Sequence, residues 1–390
     1  MVPSRTAAFL TSGPQTIQNF PELAHSIDAI YMVEASPNLR VAQKNLLCGP
    51  DAPMTESKVG YHSICKYTNL PIVWTETVKS IPIRGCHLDP PICLLPVLTC
   101  LDPSKMPFIV AHEFFDALPI HAFQIVDVPP SSKDLPPEHG QERQSPSSKT
   151  TKPTLQWREL LVTPTPSGSD HASLGTPRSQ HLEPPPEFQL ILSPSRTRHS
   201  LYLPETSIRY RNLKNVPNAV IEVCPDASLY IADFATRIGG SAKHPKSRPS
   251  GAALIVDYGQ ADTVPVNSLR GIRQHRRVSP FSEAGLVDLS ADVDFAALAE
   301  AATKCSDGVE VHGPVDQAHF LEQMGIKERA EALVKHLAAD VDKADAVDGA
   351  WRRLVDRGPR GMGKIYKALA ILPENDGKRR PVGFGGDVQD

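Results

Sequence analysis

Three short apolar runs each end in an acid. Residues 108–111 (Phe108, Ile109, Val110, Ala111) lead into His112 and Glu113, with Asp116 close behind among Phe114, Phe115 and Leu118. Residues 252–256 lead into Asp257, Tyr258 and Gly259, and residues 29–33 lead into Glu34, Ala35 and Ser36. In open α/β sheets, ligands sit beyond the carboxyl ends of the strands. One carboxylate there accepts hydrogen bonds from two neighbouring ribose hydroxyls, which is how nucleotide-binding folds hold that sugar. A strand followed by an ordinary polar turn is the alternative reading of each run. A fourth feature is the basic stretch 268–277, SLRGIRQHRR, which carries Arg270 and His275. It suits either a solvated loop or a lip that holds an acidic group.

The elements that must carry these residues follow from periodicity. Residues 108–111 and 252–256 are wholly apolar and fit buried strands of a parallel sheet. Residues 29–33 fit a shorter strand, followed by a helix with Ser36 as N-cap and Pro37 in its first turn. Leu39, Val41, Ala42 and Leu46 supply that helix with an apolar face up to Gly49. Residues 72–74 add a strand. Runs 121–128, 155–162 and 188–192, rich in aromatic and branched residues, predict an antiparallel meander. Two Pro/Ser/Thr tracts, about 129–153 and 164–186, interrupt it. The chain has 38 prolines, about twice the usual ~5%, and twelve lie between Asp127 and Glu187, too many for a packed core. These tracts are expected to be mobile loops. A helix over 226–238 uses Ile231, Ala235 and Ile238, and another over 295–303 follows Asp288, Asp292 and Asp294, acids that suit a helix N-terminus. Residues 316–324, 327–338 and 346–356 are helical, and the tail from residue 373 is polar. The fold class is therefore α/β: an incomplete Rossmann-like sheet with an antiparallel meander and a helical C-terminal part. Its expected divisions are 1–126, 127–187, 188–372 and 373–390.

Composition narrows the function. A net charge of -3 gives no basic field for nucleic acid, and no apolar run reaches the length of a membrane-spanning helix. The seven cysteines form no C-x-x-C pair, so no thiolate metal cluster is expected and the thiols read as reduced. His112, Glu113 and Asp116 loosely match the zinc-protease pattern H-E-x-x-H, but Pro119 would stop the long helix that motif needs. No metal is expected. The first 21 residues hold no acid and one Arg, a faint likeness to a transit peptide.

The runs IYMVEASPNLR, VAHEFFDALPIHAFQ, WRELLV, IEVCPDA, LIVDYG, LRGIRQH, DLSADVDFAAL and HGPVDQAHFLEQMGI occur in this order. Together, over about residues 17–371, they resemble the MidA-like family of class I methyltransferases. That family includes a mitochondrial protein-arginine methyltransferase that assists assembly of respiratory complex I. The resemblance implies S-adenosyl-L-methionine as cofactor, a mitochondrial address, and symmetric dimethylation of an arginine on a complex I subunit. It also implies site roles. Glu34 and Ser36 would hold the cofactor, and His112, Glu113 and Asp116 would face the methyl acceptor. Arginine keeps its proton far above neutral pH, so Glu113 and Asp116 could clamp its guanidinium. Asp257 and Tyr258 would close the far wall, and Arg270 and His275 would hold acidic substrate residues. The sequence departs from the family at one place. No E-x-G-x-G-x-G loop precedes Glu34, where residues 1–16 offer only Gly13. An open strand edge and half a cofactor pocket are expected. A catalytically inactive, methyltransferase-like assembly scaffold is therefore the alternative function.

Overall fold

The computed structural model describes residues 26–81, 106–128, 154–176, 178, 181, 184–274, 276–337 and 340–385. Gly13, Cys86, Cys93, Cys100, His275 and the tract 129–153 lie outside the described residues.

The strands in chain order are β1 (Ile30–Val33), β2 (Thr55–Glu56), β3 (Tyr61–Ile64), β4 (Pro71–Thr75), β5 (Phe108–His112), β6 (His121–Val128), β7 (Thr154–Pro164), β8 (Phe188–Leu192), β9 (Val220–Val223), β10 (Ala252–Tyr258), β11 (Arg270–Arg273), β12 (Arg276–Val278), β13 (Asp288–Ser290), β14 (Val309–Asp316) and β15 (Tyr366–Pro373). The helices are α1 (Pro37–Leu47), α2 (His171–Leu174), α3 (Arg198–Tyr202), α4 (Ile208–Arg211), α5 (Pro225–Gly239), α6 (Phe295–Cys305), α7 (Gln317–Gln323), α8 (Ile326–His336) and α9 (Val341–Val355).

Among the described residues the strands form four sheets, ordered β1-β4-β3-β2, β14-β15-β10-β5, β12-β11-β13 and β8-β7-β6-β9. Two contain parallel pairs: β1 with β4, and β10 with β5. The pairing of β5 and β10 is set where Ala252 donates its amide to the Pro107 carbonyl at 2.9 Å. Gly251 makes that approach possible, because its φ is +106° and a Cβ there would lie 2.4 Å from the Pro107 oxygen.

The largest core lies between the second sheet and helices α5 and α6. Ile231, Phe234, Ala235 and Ile238 of α5 meet Phe295, Leu298 and Ala302 of α6, together with Ala253, Ile255, Leu369 and Ile371 of the strands. Each large side chain buried here contributes about 1.5–3 kcal/mol. Val256, Tyr366 and Ala368 point to the opposite face and pack with Val315, Phe320 and Phe384. The first sheet has its own smaller core, in which Met32, Leu47, Ile72 and Trp74 are buried. The Trp74 indole donates to Gln43 Oε1 at 3.0 Å. Trp157 is buried in the meander core with Phe123 and Ile125, while Trp351 sits on α9 under the Arg352 guanidinium. Arg237 of α5 joins the two parallel regions: it pairs with Asp233 and donates to the carbonyls of Val78 at 3.1 Å and Ile81 at 2.8 Å.

The meander and helix α5 stand where expected, and the mixed α/β class holds. Several details differ. β5 is parallel to β10 but is not buried on both faces: among the described residues it is paired on one side only, leaving Phe108 76% and Val110 53% exposed. β1 is likewise paired on one side only. Helix α1 buries Arg40, Gln43, Lys44 and Leu47, whereas Val41 faces outward. Long side chains there lay their methylenes on the sheet. The basic stretch is not a loop, since Arg270–Arg273 and Arg276–Val278 pair as antiparallel strands. The tract 164–186, expected to be mobile, contains α2, closed by a capping box between Asp170 and Ser173. β14 and β15 flank the C-terminal helices, in a region expected to be mostly helical.

Candidate active site

The site is built on the adjacent ends of β5 and β10. Asp257, the penultimate residue of β10, is 0% exposed. Its Oδ2 accepts the amides of Phe114 at 3.0 Å, Phe115 at 2.9 Å and Asp116 at 3.4 Å, and its Oδ1 accepts the Tyr258 amide at 2.9 Å. A run of successive amides wraps an anion when the backbone turns sharply. Here the turn is made at Glu113, whose φ is +48°. Burial, and then the neighbouring Asp116 carboxylate, push Asp257 up to about 8, against the pull of the amides.

Asp116 is itself buried, and its Oδ2 accepts the Ser290 hydroxyl at 2.9 Å. Its carbonyl accepts the Ala291 amide at 2.9 Å. Asp116 and Asp257 therefore form an internal pair that fixes the loop. Both carboxylates are turned into the fold, which differs from the expected guanidinium clamp and far wall. Burial is the reason, because both carboxylates are engaged inside the fold.

Glu113 points the other way. Its Oε1 accepts the hydroxyl of Tyr366, the first residue of β15. Tyr366 lies in the middle of a ring stack. The Tyr258 ring is 4.0 Å from it, His112 stacks on it at 6.5 Å, and the Arg270 guanidinium lies 4.8 Å from the Tyr258 centroid. Arg270 also pairs with Asp292 Oδ1 at 2.5 Å, and its buried Nη2 has no hydrogen-bond partner among the described residues. The structure thus gathers His112, Glu113, Tyr258 and Arg270 around Tyr366. Sequence reasoning missed Tyr366, because it opens a mostly apolar strand and its partner Glu113 lies far away in the chain.

Glu34 follows β1, in the other sheet that contains a parallel pair. Its Oε1 accepts the Ser36 amide at 3.0 Å and its Oε2 accepts Gln43 Nε2 at 3.0 Å. A carboxylate offers about four acceptor positions, so among the described residues two remain that would suit a ribose diol. Ser36 is an N-cap, and its hydroxyl accepts the Leu39 amide at 3.3 Å. A cavity of about 620 Å³ lies elsewhere, lined by Ile120, Tyr202, Tyr210, Cys224, Asp292 and Asp294 among others. None of the residues expected to act on cofactor or acceptor lines it.

Residues 15–315 match the model of a family described as "Putative S-adenosyl-L-methionine-dependent methyltransferase". The chain belongs to that family. Membership carries S-adenosyl-L-methionine as cofactor, and the matched span includes Glu34, Glu113, Asp257 and Arg270. Among curated relatives, the chain is 29% identical over 347 residues to the protein arginine methyltransferase NDUFAF7, mitochondrial, of Danio rerio, covering 88% of this chain and 61% of that protein. It is 27% identical to the protein of the same name in Rattus norvegicus, covering 92% and 62%. The chain thus spans about three-fifths of the length of these relatives. Among solved structures, it is similar to a COG1565 superfamily member from Burkholderia thailandensis bound to S-adenosyl-homocysteine. The TM-score is 0.54 at 18% identity, with 96% of this chain and 69% of that one covered, a likeness of fold.

Proposed function

We propose that the chain is an S-adenosyl-L-methionine-dependent protein-arginine N-methyltransferase of the mitochondrion. Its protein partner is a subunit of respiratory complex I, on which one arginine is dimethylated symmetrically. The observation that carries this reading is Glu113, held beside Tyr366 at the end of β5 on a loop pinned by Asp257. Family membership and the names of the curated relatives support the reaction class, the compartment and the acceptor.

In this reading Glu34 accepts hydrogen bonds from the ribose hydroxyls while Gln43 and the Ser36 amide hold its carboxylate in place. Glu113 accepts from the acceptor guanidinium and orients one nitrogen, with the Tyr366 hydroxyl fixing its rotamer. His112 stands beside it to take the proton released from that nitrogen. Asp116 and Asp257 act as positioning residues behind the loop. Arg270, stacked on Tyr258, attracts acidic residues flanking the target arginine, and His275 is assigned with it from the sequence alone. Bound S-adenosyl-L-methionine supplies a methyl already activated by its sulfonium, so positioning does most of the work.

Calorimetry with S-adenosyl-L-methionine, followed by methyl transfer to arginine peptides of complex I subunits, tests this. Glu34→Ala should weaken cofactor binding at least tenfold. Glu113→Gln should leave it intact while transfer disappears. The separation of Glu34 and Glu113 onto two sheets favours a second reading, a methyltransferase-like assembly scaffold. Absence of any binding heat at millimolar cofactor would select it.

A further inference from the structure

Away from the strand-end cluster, three segments distant in the chain bring metal-ligating side chains together. His121 opens β6, Glu159 lies within β7 and His199 lies on α3. His121 Nδ1 is 2.8 Å from Glu159 Oε1, and His199 Nδ1 is 3.3 Å from the same oxygen. The two imidazole centroids are 4.2 Å apart, and one ligand atom from each residue lies within 4.8 Å of the others. We propose that His121, Glu159 and His199 form a binding site for a divalent transition-metal ion of the zinc class.

The donor set suits such an ion. Imidazole and carboxylate ligands favour zinc and its neighbours, and two His with one Glu leave a fourth tetrahedral position for water. Bonds of about 2.0–2.1 Å in a tetrahedron put neighbouring ligand atoms about 3.4 Å apart. His121 and His199 stand 2.8 and 3.3 Å from the Glu159 oxygen, close to that value, so small rotamer changes make room for the ion.

A plain hydrogen-bonded cluster is a less economical account. It accounts for His121, which is hydrogen-bonded to Glu159, but not for His199, whose Nδ1 stands 3.3 Å from the same oxygen with the two rings in contact. A cation shared by the three ligands accounts for both.

The surroundings also fit a prepared site. The Glu159 backbone is tied to Ser193 twice, its amide donating to the hydroxyl at 3.1 Å and its carbonyl accepting the amide at 2.8 Å. His199 is 56% exposed at its side chain, which gives the ion an entry route. Ile120, just before His121, and Tyr202, at the end of α3, both line the 620 Å³ cavity. The bound ion would therefore tie one rim of that cavity to the meander.

The test uses the full chain after treatment with a chelator. Titration with zinc chloride in a calorimeter, with metal content checked by mass spectrometry, should give one equivalent bound and a higher melting temperature. His199→Ala, on an exposed position that leaves the fold intact by circular dichroism, should weaken binding at least tenfold and remove the thermal shift. Glu159→Gln should abolish binding. His171→Ala, in the separate His171/His181 stack, should bind like the wild type. Absence of zinc binding to the wild type, unchanged binding in His199→Ala, or loss in His171→Ala instead would overturn the assignment. None of these readouts depends on methyl transfer.

Discussion

Asp257 and Glu34 share a sequence pattern, an apolar strand closed by an acid, yet they do different work. Asp257 ends a strand covered on both faces, so its carboxylate is cut off from water and engaged by four backbone amides. Glu34 ends a strand of the smaller sheet, half-buried, and keeps acceptor capacity after meeting Ser36 and Gln43. The depth at which the strand ends decides whether an acid is drawn in to organise a loop, and the proposed cofactor role falls to the shallower one.

Replacing each acid in turn should separate the two regions most sharply. Asp257→Ala strands several buried amides and should cost roughly 3 kcal/mol or more, whereas Glu34→Ala should cost about 1 kcal/mol. Urea unfolding of both variants measures the gap, and equal losses would erase the contrast. The pH response comes next. Because the folded state raises Asp257 to about 8, it binds a proton that the unfolded chain releases near its ordinary value of 3.8. The stabilisation is complete below that ordinary value and is lost as pH rises through about 8. Asp116→Asn removes one of the two causes, so its stability should fall less steeply with pH in melts taken from pH 4 to 9. On the Glu34 side, Gln43→Ala leaves the buried Trp74 indole without its acceptor and should cost about 1–3 kcal/mol. Amide exchange should show the loss confined to β1, β3 and β4, with β10 still protected. The smallest effect is expected for Tyr366→Phe. Losing its hydroxyl should cost about 1 kcal/mol, while cofactor binding stays and methyl transfer falls, a split read by calorimetry against product formation.

Much of this was legible in the chain. Residues 252–256 and 226–238 declared a buried strand and an amphipathic helix, because apolar spacing is a local property and the core uses it directly. The meander followed from branched and aromatic runs in the same way. Strand ends named Glu34, Glu113, Asp116 and Asp257, but not their orientation. Which acid turns inward depends on Ser290 and on the amides of residues 114–116, contacts that no spacing rule encodes. Phe108 and Val110 look like core residues until the sheet order leaves β5 paired on one side. Tyr366 was invisible for the opposite reason: a tyrosine in an apolar strand gives no sign that it meets a glutamate 253 positions earlier. The same holds for His121, Glu159 and His199, which share no short motif.

The distribution of indoles gives the molecule built-in optical probes. Trp74 is buried in the small first sheet, Trp157 in the meander, and Trp351 sits on the C-terminal helix α9, while the main helix–sheet core contains none. Variants keeping a single indole would each emit from one part of the chain. Their fluorescence during denaturation would tell whether these parts come undone together or in sequence.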